Sequence, residues 1–121
     1  MSNRLFSALF GGKESGNVKM VSPATVAEWL QADQVVLIDV RETNEHASER
    51  IAGAINMPLS TLDPAKIPAI PEGKKLVFHC RSGQRCGMAA GKLVAAGYGG
   101  EINRLEGGIM NWSACGLPIT R

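Results

Sequence analysis

Apolar residues in this chain fall into short continuous runs that are separated by more polar stretches. The runs QVVLID at 34–39 and KLVFH at 75–79 are rich in β-branched or apolar residues without alternation, which is typical of strands buried on both faces of a sheet. Shorter runs predict three further strands, at 18–21, 54–57 and 101–105. The pattern therefore predicts five strands along the chain.

Helical patterns lie between these strands. Ser22 is an expected N-cap and Pro23 an expected first helical residue for the segment ATVAEWLQ that follows. Two more helices are predicted, one at 85–96 and one at about 109–115 after a turn at Gly107 and Gly108. Three apolar residues of the first of these recur at helical spacing and are expected in the core: Met88, Leu93 and Val94.

This alternation of strands and helices indicates an α/β domain with a mostly parallel sheet and helices on both faces. Asp39 and Cys80 stand at the carboxyl ends of two predicted strands. The carboxyl ends of parallel strands meet at one edge of a sheet, and ligands bind at that edge. We therefore expect Asp39 and Cys80 to share the functional edge.

Composition limits the number of domains and indicates the cellular compartment. The 121 residues, of which 45% are hydrophobic, provide for one core, so we expect a flexible arm at 1–17, which contains GGKESGN, and one domain at 18–121. Three cysteines are an odd number, and the spacing of Cys80, Cys86 and Cys115 matches no usual zinc pattern. Free thiols and the lack of a convincing leader predict a cytoplasmic protein without a metal.

Charge and hydropathy also exclude some partners. The net charge is +2, from 13 basic and 11 acidic residues, which is too small an excess to indicate a nucleic-acid partner. No apolar run approaches the roughly 20 residues that span a bilayer, so no stable membrane association is expected. The positive charge is local, since 73–100 contains several basic residues and no Asp or Glu.

The segment CRSGQR at 80–85, here called the CRSGQR loop, carries the candidate chemistry. Cys80 directly follows the KLVFH strand, and the predicted helix follows the loop. Gly83 gives the loop flexibility, so that successive backbone N–H groups can turn towards the sulfur. Arg81 and Arg85 flank these amides, and both cations and helix N-termini lower the pKa of a thiol. The pattern indicates an activated, nucleophilic cysteine and an anionic substrate.

Four motifs in this order make the chain similar to single-domain rhodaneses, the thiosulfate sulfurtransferase family. They are IDVRETNEH at 38–46, RIAGAINMPLS at 50–60, HCRSGQR at 79–85 and LEGGIMNWSACGLPI at 105–119. The resemblance implies the rhodanese-like fold, with a five-stranded parallel sheet flanked by helices. It also implies that Cys80 carries a transferable sulfur as a persulfide and that no cofactor is needed.

The resemblance further assigns roles to the rest of the loop. The amides of the loop line the pocket, and Arg85 closes it as an anion-binding group; the substrate-binding residues are thus Arg81, Ser82, Gly83, Gln84 and Arg85. The donor is expected to be a small anionic sulfur compound, with thiosulfate favoured over mercaptopyruvate, glutathione persulfide or a cysteine desulfurase. The acceptor is cyanide or a thiol, such as a thioredoxin-like or other protein thiol.

Two other functions are compatible with such a chain. Phosphatases and arsenate reductases of this fold share the signature H-C-x5-R, but the position that needs Arg is Cys86 here, so the loop is one residue shorter. A non-catalytic sulfur-carrier or interaction module is the other alternative, and family members of that kind usually lack the cysteine. We therefore favour sulfur transfer.

Three further residues have two interpretations each. Asp39 and Arg41 either support the pocket mouth or form an ion pair that holds a loop, and we favour the ion pair. Cys86 stands where the family commonly has Ser. It is either a redox partner, able to form a disulfide with Cys80, or a small apolar residue in the helix–sheet interface, and we favour the second interpretation.

Overall fold

The computed structural model describes residues 17–121 as an alternation of strands and helices. The predicted flexible arm therefore lies, apart from Asn17, outside the described residues. The elements in chain order are β1 (Val18–Val21), α1 (Pro23–Gln31), β2 (Val35–Asp39), α2 (Thr43–Ser48), β3 (Ile55–Asn56), two 3-10 turns (Leu59–Thr61 and Pro64–Lys66), β4 (Lys75–His79), α3 (Gln84–Ala95), β5 (Ile102–Leu105) and α4 (Gly108–Ala114).

The five strands form one parallel sheet in the order β1-β5-β4-β2-β3. The strands β2 and β4 are neighbours in the sheet, and in their register Asp39 at the end of β2 lies opposite His79 at the end of β4. The segments that follow these two strands therefore leave the sheet at the same edge. The predicted fold class is confirmed.

Helices cover both faces of the sheet, because the central strands present alternate side chains to opposite sides. Phe78 lies in a buried cluster with apolar residues of α3, including Leu93. Its neighbour Val77 lies in the second cluster, together with Val26 of α1 and Trp112 of α4. Each face thus has a core, and the sheet holds the segments after β2, β4 and β5 in place.

The sequence predicts the helix starts and ends to within about one residue. The N-cap of α1 is Ser22, whose Oγ accepts the Thr25 N–H at 3.1 Å, with Pro23 in the first turn. Met88 corrects one expectation, since its side chain is 58% exposed. It lies on the outer face of α3, whereas Leu93 is buried and Val94 packs against the core.

The helix α2 has no counterpart in the prediction. It has six residues, and none of them is buried, so no apolar periodicity marks it. The turn is closed instead by polar groups, because Glu45 Oε1 accepts the backbone N–H of Glu42 at 2.9 Å. Across residues 17–121, no helix combines the length and the apolar character needed to cross a membrane.

Candidate active site

Cys80 lies where the sequence predicts it, directly after β4 at the functional edge of the sheet. The residue is 1% exposed, and its Sγ accepts the backbone N–H of Gly83 at 3.0 Å. Gly83 reaches this position with φ +116°, a backbone conformation that L side chains rarely adopt. The glycine thus lets the loop curl back over the sulfur that starts it.

The surroundings of Cys80 favour its thiolate. Its pKa is lowered to about 5, and the largest cause is a hydrogen bond from the side chain of Cys86. Backbone N–H groups of Cys86, Gly83 and Arg85 act in the same direction, while burial opposes them. The loop amides expected from the sequence therefore contribute to the lowered pKa, whereas its leading cause is the thiol of Cys86 and not the side chains of Arg81 and Arg85.

Cys86 combines both features that the sequence offered as alternatives. It is fully buried in the cluster between the sheet and α3, as a small core residue would be. Its thiol also neighbours Cys80, and that contact together with burial raises the pKa of Cys86, so Cys86 keeps its proton and donates. Both cysteines are free thiols in the structure. The disulfide between them stays a prediction.

The N-terminus of α4 holds the start of the CRSGQR loop from the other side. The backbone N–H of Ile109 donates to the Cys80 carbonyl at 2.8 Å, and that of Met110 donates to the Arg81 carbonyl at 3.1 Å. Gly108 makes this approach feasible, since a Cβ there would lie 2.5 Å from backbone atoms of Cys80 and Arg81. The Gly107–Gly108 turn predicted from sequence therefore supports the nucleophile directly.

Arg85 makes an interaction that the sequence did not predict. Its Nη1 and Nη2 donate to the two carboxylate oxygens of Glu45 at 2.7 and 3.0 Å. This pair lowers the pKa of Glu45 to about 2. The expected anion-binding arginine thus holds a carboxylate on α2. Glu45 lies within the IDVRETNEH motif, but nothing in the sequence pairs it with a residue 40 positions later.

Asp39 anchors a buried polar cluster beneath α2. Arg41 Nη2 donates to Asp39 Oδ2 at 2.8 Å and to the Glu49 carbonyl at 2.7 Å, so the expected ion pair is present. His46 Nδ1 lies 2.9 Å from the same carboxylate oxygen. Burial raises the pKa of Asp39, but Arg41 and the histidines outweigh this, so its pKa is lowered. The cluster ties α2 to the end of β2.

His79 is fully buried beside this cluster. Its Nδ1 lies 3.4 Å from the Cys80 carbonyl oxygen, and its Nε2 lies 3.8 Å from Asp39 Oδ2. Burial lowers the pKa of His79 to about 4, so the ring is neutral near pH 7. A neutral, fully buried ring fits a structural role for His79.

Arg104 of β5 is a second contact that sequence reasoning missed. Its Nη2 donates to the carbonyl of Gly83 at 3.1 Å, at the turn of the CRSGQR loop. The guanidinium lies so close to α3 that a Cβ on Gly87 would come within 2.9 Å of it. A single arginine in a strand gives no signal of this role, because the contact depends on how β5 lies beside β4.

An open groove of about 550 Å³ adjoins the loop between α2 and α4. Its lining includes Arg41, Asn44, Glu45, Ser48, Glu49, Arg81, Ile109, Met110 and Ser113. Arg81 is exposed at its edge, and so are Ser82 and Gln84 on the loop. The structure therefore brings one predicted cation, Arg81, and the supporting Arg41 to a cavity large enough for a small molecule.

The fold and this loop define a class: parallel α/β domains with a reactive cysteine in an amide-lined turn after a central strand. The model of the rhodanese-like domain family matches residues 22–115. The chain belongs to this family.

Relatives support the assignment over most of the chain. An uncharacterized protein of Synechocystis, slr1261, is 42% identical over 101 residues, which are 84% of this chain and 55% of that protein. A sulfurtransferase of Allochromatium vinosum is 38% identical over 87 residues, which are 72% of this chain and 79% of that protein. The crystal structure of a rhodanese-related protein from Thermoplasma volcanium is 30% identical with a TM-score of 0.69, covering 84% of this chain and 97% of that one.

Proposed function

We propose that this protein is a sulfurtransferase that carries a sulfane sulfur as a persulfide on Cys80. The observation that carries the proposal is the thiol itself, whose sulfur accepts the Gly83 N–H and whose pKa is lowered to about 5. A thiolate at neutral pH is the reactive form for attack on sulfur. The sulfurtransferase of Allochromatium vinosum supports the same reaction class.

Thiosulfate is the donor that the family resemblance favours. The Cys80 thiolate attacks the outer sulfur, a new S–S bond forms to Cys80, and the original S–S bond breaks with its electron pair leaving on sulfite. The charges balance, because a thiolate and a dianion yield a persulfide anion and a dianion. Sulfite leaves without needing a proton, so the site needs no general acid. Fixed N–H donors around the sulfur stabilise the persulfide anion as they do the thiolate.

The second half of the cycle returns the enzyme to its thiolate. Cyanide or an acceptor thiolate attacks the outer persulfide sulfur, and the pair of electrons in the S–S bond returns to Cys80. This ping-pong sequence gives thiocyanate or a new persulfide as product. A thioredoxin-like or other protein thiol is the expected acceptor class, and we assign its docking to the open groove that adjoins the loop at Arg81.

The direct test is the intact mass of the protein after incubation with thiosulfate. We expect one added sulfur, which is removed by a thiol reductant or by cyanide. Parallel incubations with mercaptopyruvate and with glutathione persulfide rank the donors. A mass unchanged by all three donors, in protein whose Cys80 reacts with an alkylating agent, would contradict the proposed function.

The pH dependence gives a further prediction. Below pH 5 Cys80 is protonated, so the rate of persulfide formation rises about tenfold per pH unit and levels off above a pH of about 5. In Cys86→Ala the inflection moves to higher pH, because the main donor to the thiolate is lost. The measurement is the pH profile of the single-turnover rate, checked by the alkylation rate of Cys80.

Cys115→Ser is the matched control for this profile. Cys115 is an exposed thiol after α4, so its removal simplifies the alkylation data and leaves the inflection where it was. An inflection near the ordinary thiol value of about 8.5 in the unmodified protein would show that the loop does not activate Cys80.

Phosphatase activity is the competing function, and we expect it to be negligible. Cys86 occupies the position where the H-C-x5-R signature needs arginine, and Arg85 is already bound to Glu45. A tetrahedral phosphoryl group therefore lacks the arginine that stabilises its transition state. The assay is hydrolysis of p-nitrophenyl phosphate, with Cys80→Ser as the blank. A robust rate that is lost in Cys80→Ser would overturn this reading of the loop.

A further inference from the structure

We propose that Glu45 sets the charge preference of the site, by holding Arg85 and so disfavouring doubly charged sulfur donors relative to singly charged ones. The inference rests on the proposed function, since it concerns the donor that loads Cys80. It makes Glu45 a specificity-determining residue that acts through Arg85, in a position to which sequence reasoning gave no role.

The geometry of the Arg85–Glu45 ion pair holds both side chains in place. Both η nitrogens of Arg85 are used, at 2.7 and 3.0 Å, in the two-pronged arrangement that guanidinium and carboxylate groups favour. The carboxylate is itself held, because Glu45 Oε1 also accepts the Glu42 N–H. The side chains of Arg85 and Glu45 are 29% and 28% exposed, and Glu45 also lines the groove beside the loop, so the pair is accessible from solvent.

The other arginines near the groove and the loop are mostly engaged in contacts of their own. Arg41, which also lines the groove, is paired with buried Asp39. Arg104 is not among the residues that line the groove, and its guanidinium donates to the Gly83 carbonyl. Of the groove-lining arginines, Arg81 alone has no ion pair among residues 17–121. The second negative charge of a dianionic donor would therefore lie near the Cys80 thiolate, while two of the arginines nearby are already paired with carboxylates.

Two simple sulfur donors of the same kind differ by one negative charge. Thiosulfate and methanethiosulfonate both present a terminal sulfur bonded to an oxidised sulfur. The Cys80 thiolate attacks that terminal sulfur in each case, and the leaving group is sulfite from the first and methanesulfinate from the second. Thiosulfate carries two negative charges and methanethiosulfonate one. The ratio of their kcat/KM values thus reports the charge preference of the site.

Glu45→Gln removes the carboxylate charge and frees Arg85 for the donor. We expect the ratio of kcat/KM for thiosulfate to that for methanethiosulfonate to rise about fivefold, mainly through a lower KM for thiosulfate. Arg85→Ala leaves the Glu45 charge uncompensated, so the ratio falls below that of the unmodified protein. The double variant removes one charge of each sign, and its ratio returns to within about twofold of the unmodified value.

Glu106→Gln is the matched control, because it makes the same charge change at an exposed residue after β5. Its charge is screened by solvent, so the ratio stays within about twofold. Melting temperatures of all variants establish that each is folded at the assay temperature. If Glu45→Gln unfolds, the fall in ratio for Arg85→Ala still tests the proposal.

Two results would contradict the inference. One is a ratio that is unchanged in both Glu45→Gln and Arg85→Ala; the other is an equal rise in Glu45→Gln and Glu106→Gln, which indicates general electrostatics. The proposed function fails differently, through the absence of an added sulfur in the unmodified protein with either donor. A loaded Cys80 with an unchanged ratio therefore rejects the role of Glu45 alone.

Discussion

Cys80→Ser is expected to lower thiosulfate to cyanide transfer by at least about a thousandfold. A serine hydroxyl keeps the size of the side chain and can accept the Gly83 N–H, but it does not ionise near neutral pH and cannot store sulfur as a persulfide. The loss should appear in kcat, because the substitution leaves the loop and the groove, the proposed donor site, unchanged. Steady-state formation of thiocyanate measures it, and intact mass checks that no sulfur is added.

Cys115→Ser is the control for a general effect of removing a thiol. Cys115 is exposed at the end of α4 and should leave the rate within about twofold. Activity of Cys80→Ser within a few-fold of the unmodified protein would remove Cys80 from the mechanism. It would move attention to Cys86, the other thiol of the CRSGQRC segment.

The features that sequence predicts well are those encoded within one segment. The sequence predicts that β2 and β4 are buried, because consecutive residues of each strand are apolar and face opposite sides of the sheet. These are Leu37 and Ile38 in β2 and Val77 and Phe78 in β4. Cys80 is predictable for the same reason, since a cysteine directly after a central strand lies at the ligand-binding edge in any fold of this class.

The features that sequence misses depend on contacts between distant segments. Glu45 and Arg85 are 40 positions apart, and Arg104 is 21 positions from Gly83, so neither contact leaves a local pattern. The helix α2 is short and has no apolar face, so periodicity cannot reveal it. Met88 fits the apolar spacing of α3 but lies on its exposed side, because spacing over one turn does not fix which neighbours cover a residue.

The two glycines that follow β5 combine a signal within one segment with a contact between distant segments. Sequence marks Gly107 and Gly108 as a turn, and the structure shows why the second must lack a side chain. Gly108 has φ +63°, and a Cβ there would lie 2.5 Å from the Cys80 carbonyl oxygen. The turn is thus the point at which α4 and the CRSGQR loop determine each other's position.

Gly108→Ala is therefore expected to damage both stability and activity. The left-handed backbone costs about 1–2 kcal/mol for an L residue, and forcing a methyl group into packed backbone adds about 1–3 kcal/mol. Separation of α4 from the loop breaks the bonds from Ile109 N to Cys80 O and from Met110 N to Arg81 O. Urea unfolding measures the first effect, and the single-turnover rate of persulfide formation measures the second.

Gly116→Ala is a matched control, because the chain offers a second glycine with nearly the same backbone. Gly116 has φ +79°, but a Cβ there would meet no heavy atom within 4 Å. This variant should lose only the conformational term, about 1–2 kcal/mol, and keep its rate of persulfide formation. Equal losses of stability in the two variants, with an unchanged rate in Gly108→Ala, would show that the contact of Gly108 with the loop does not hold Cys80 in place. A larger loss at Gly108 with a slower rate assigns the difference to that contact.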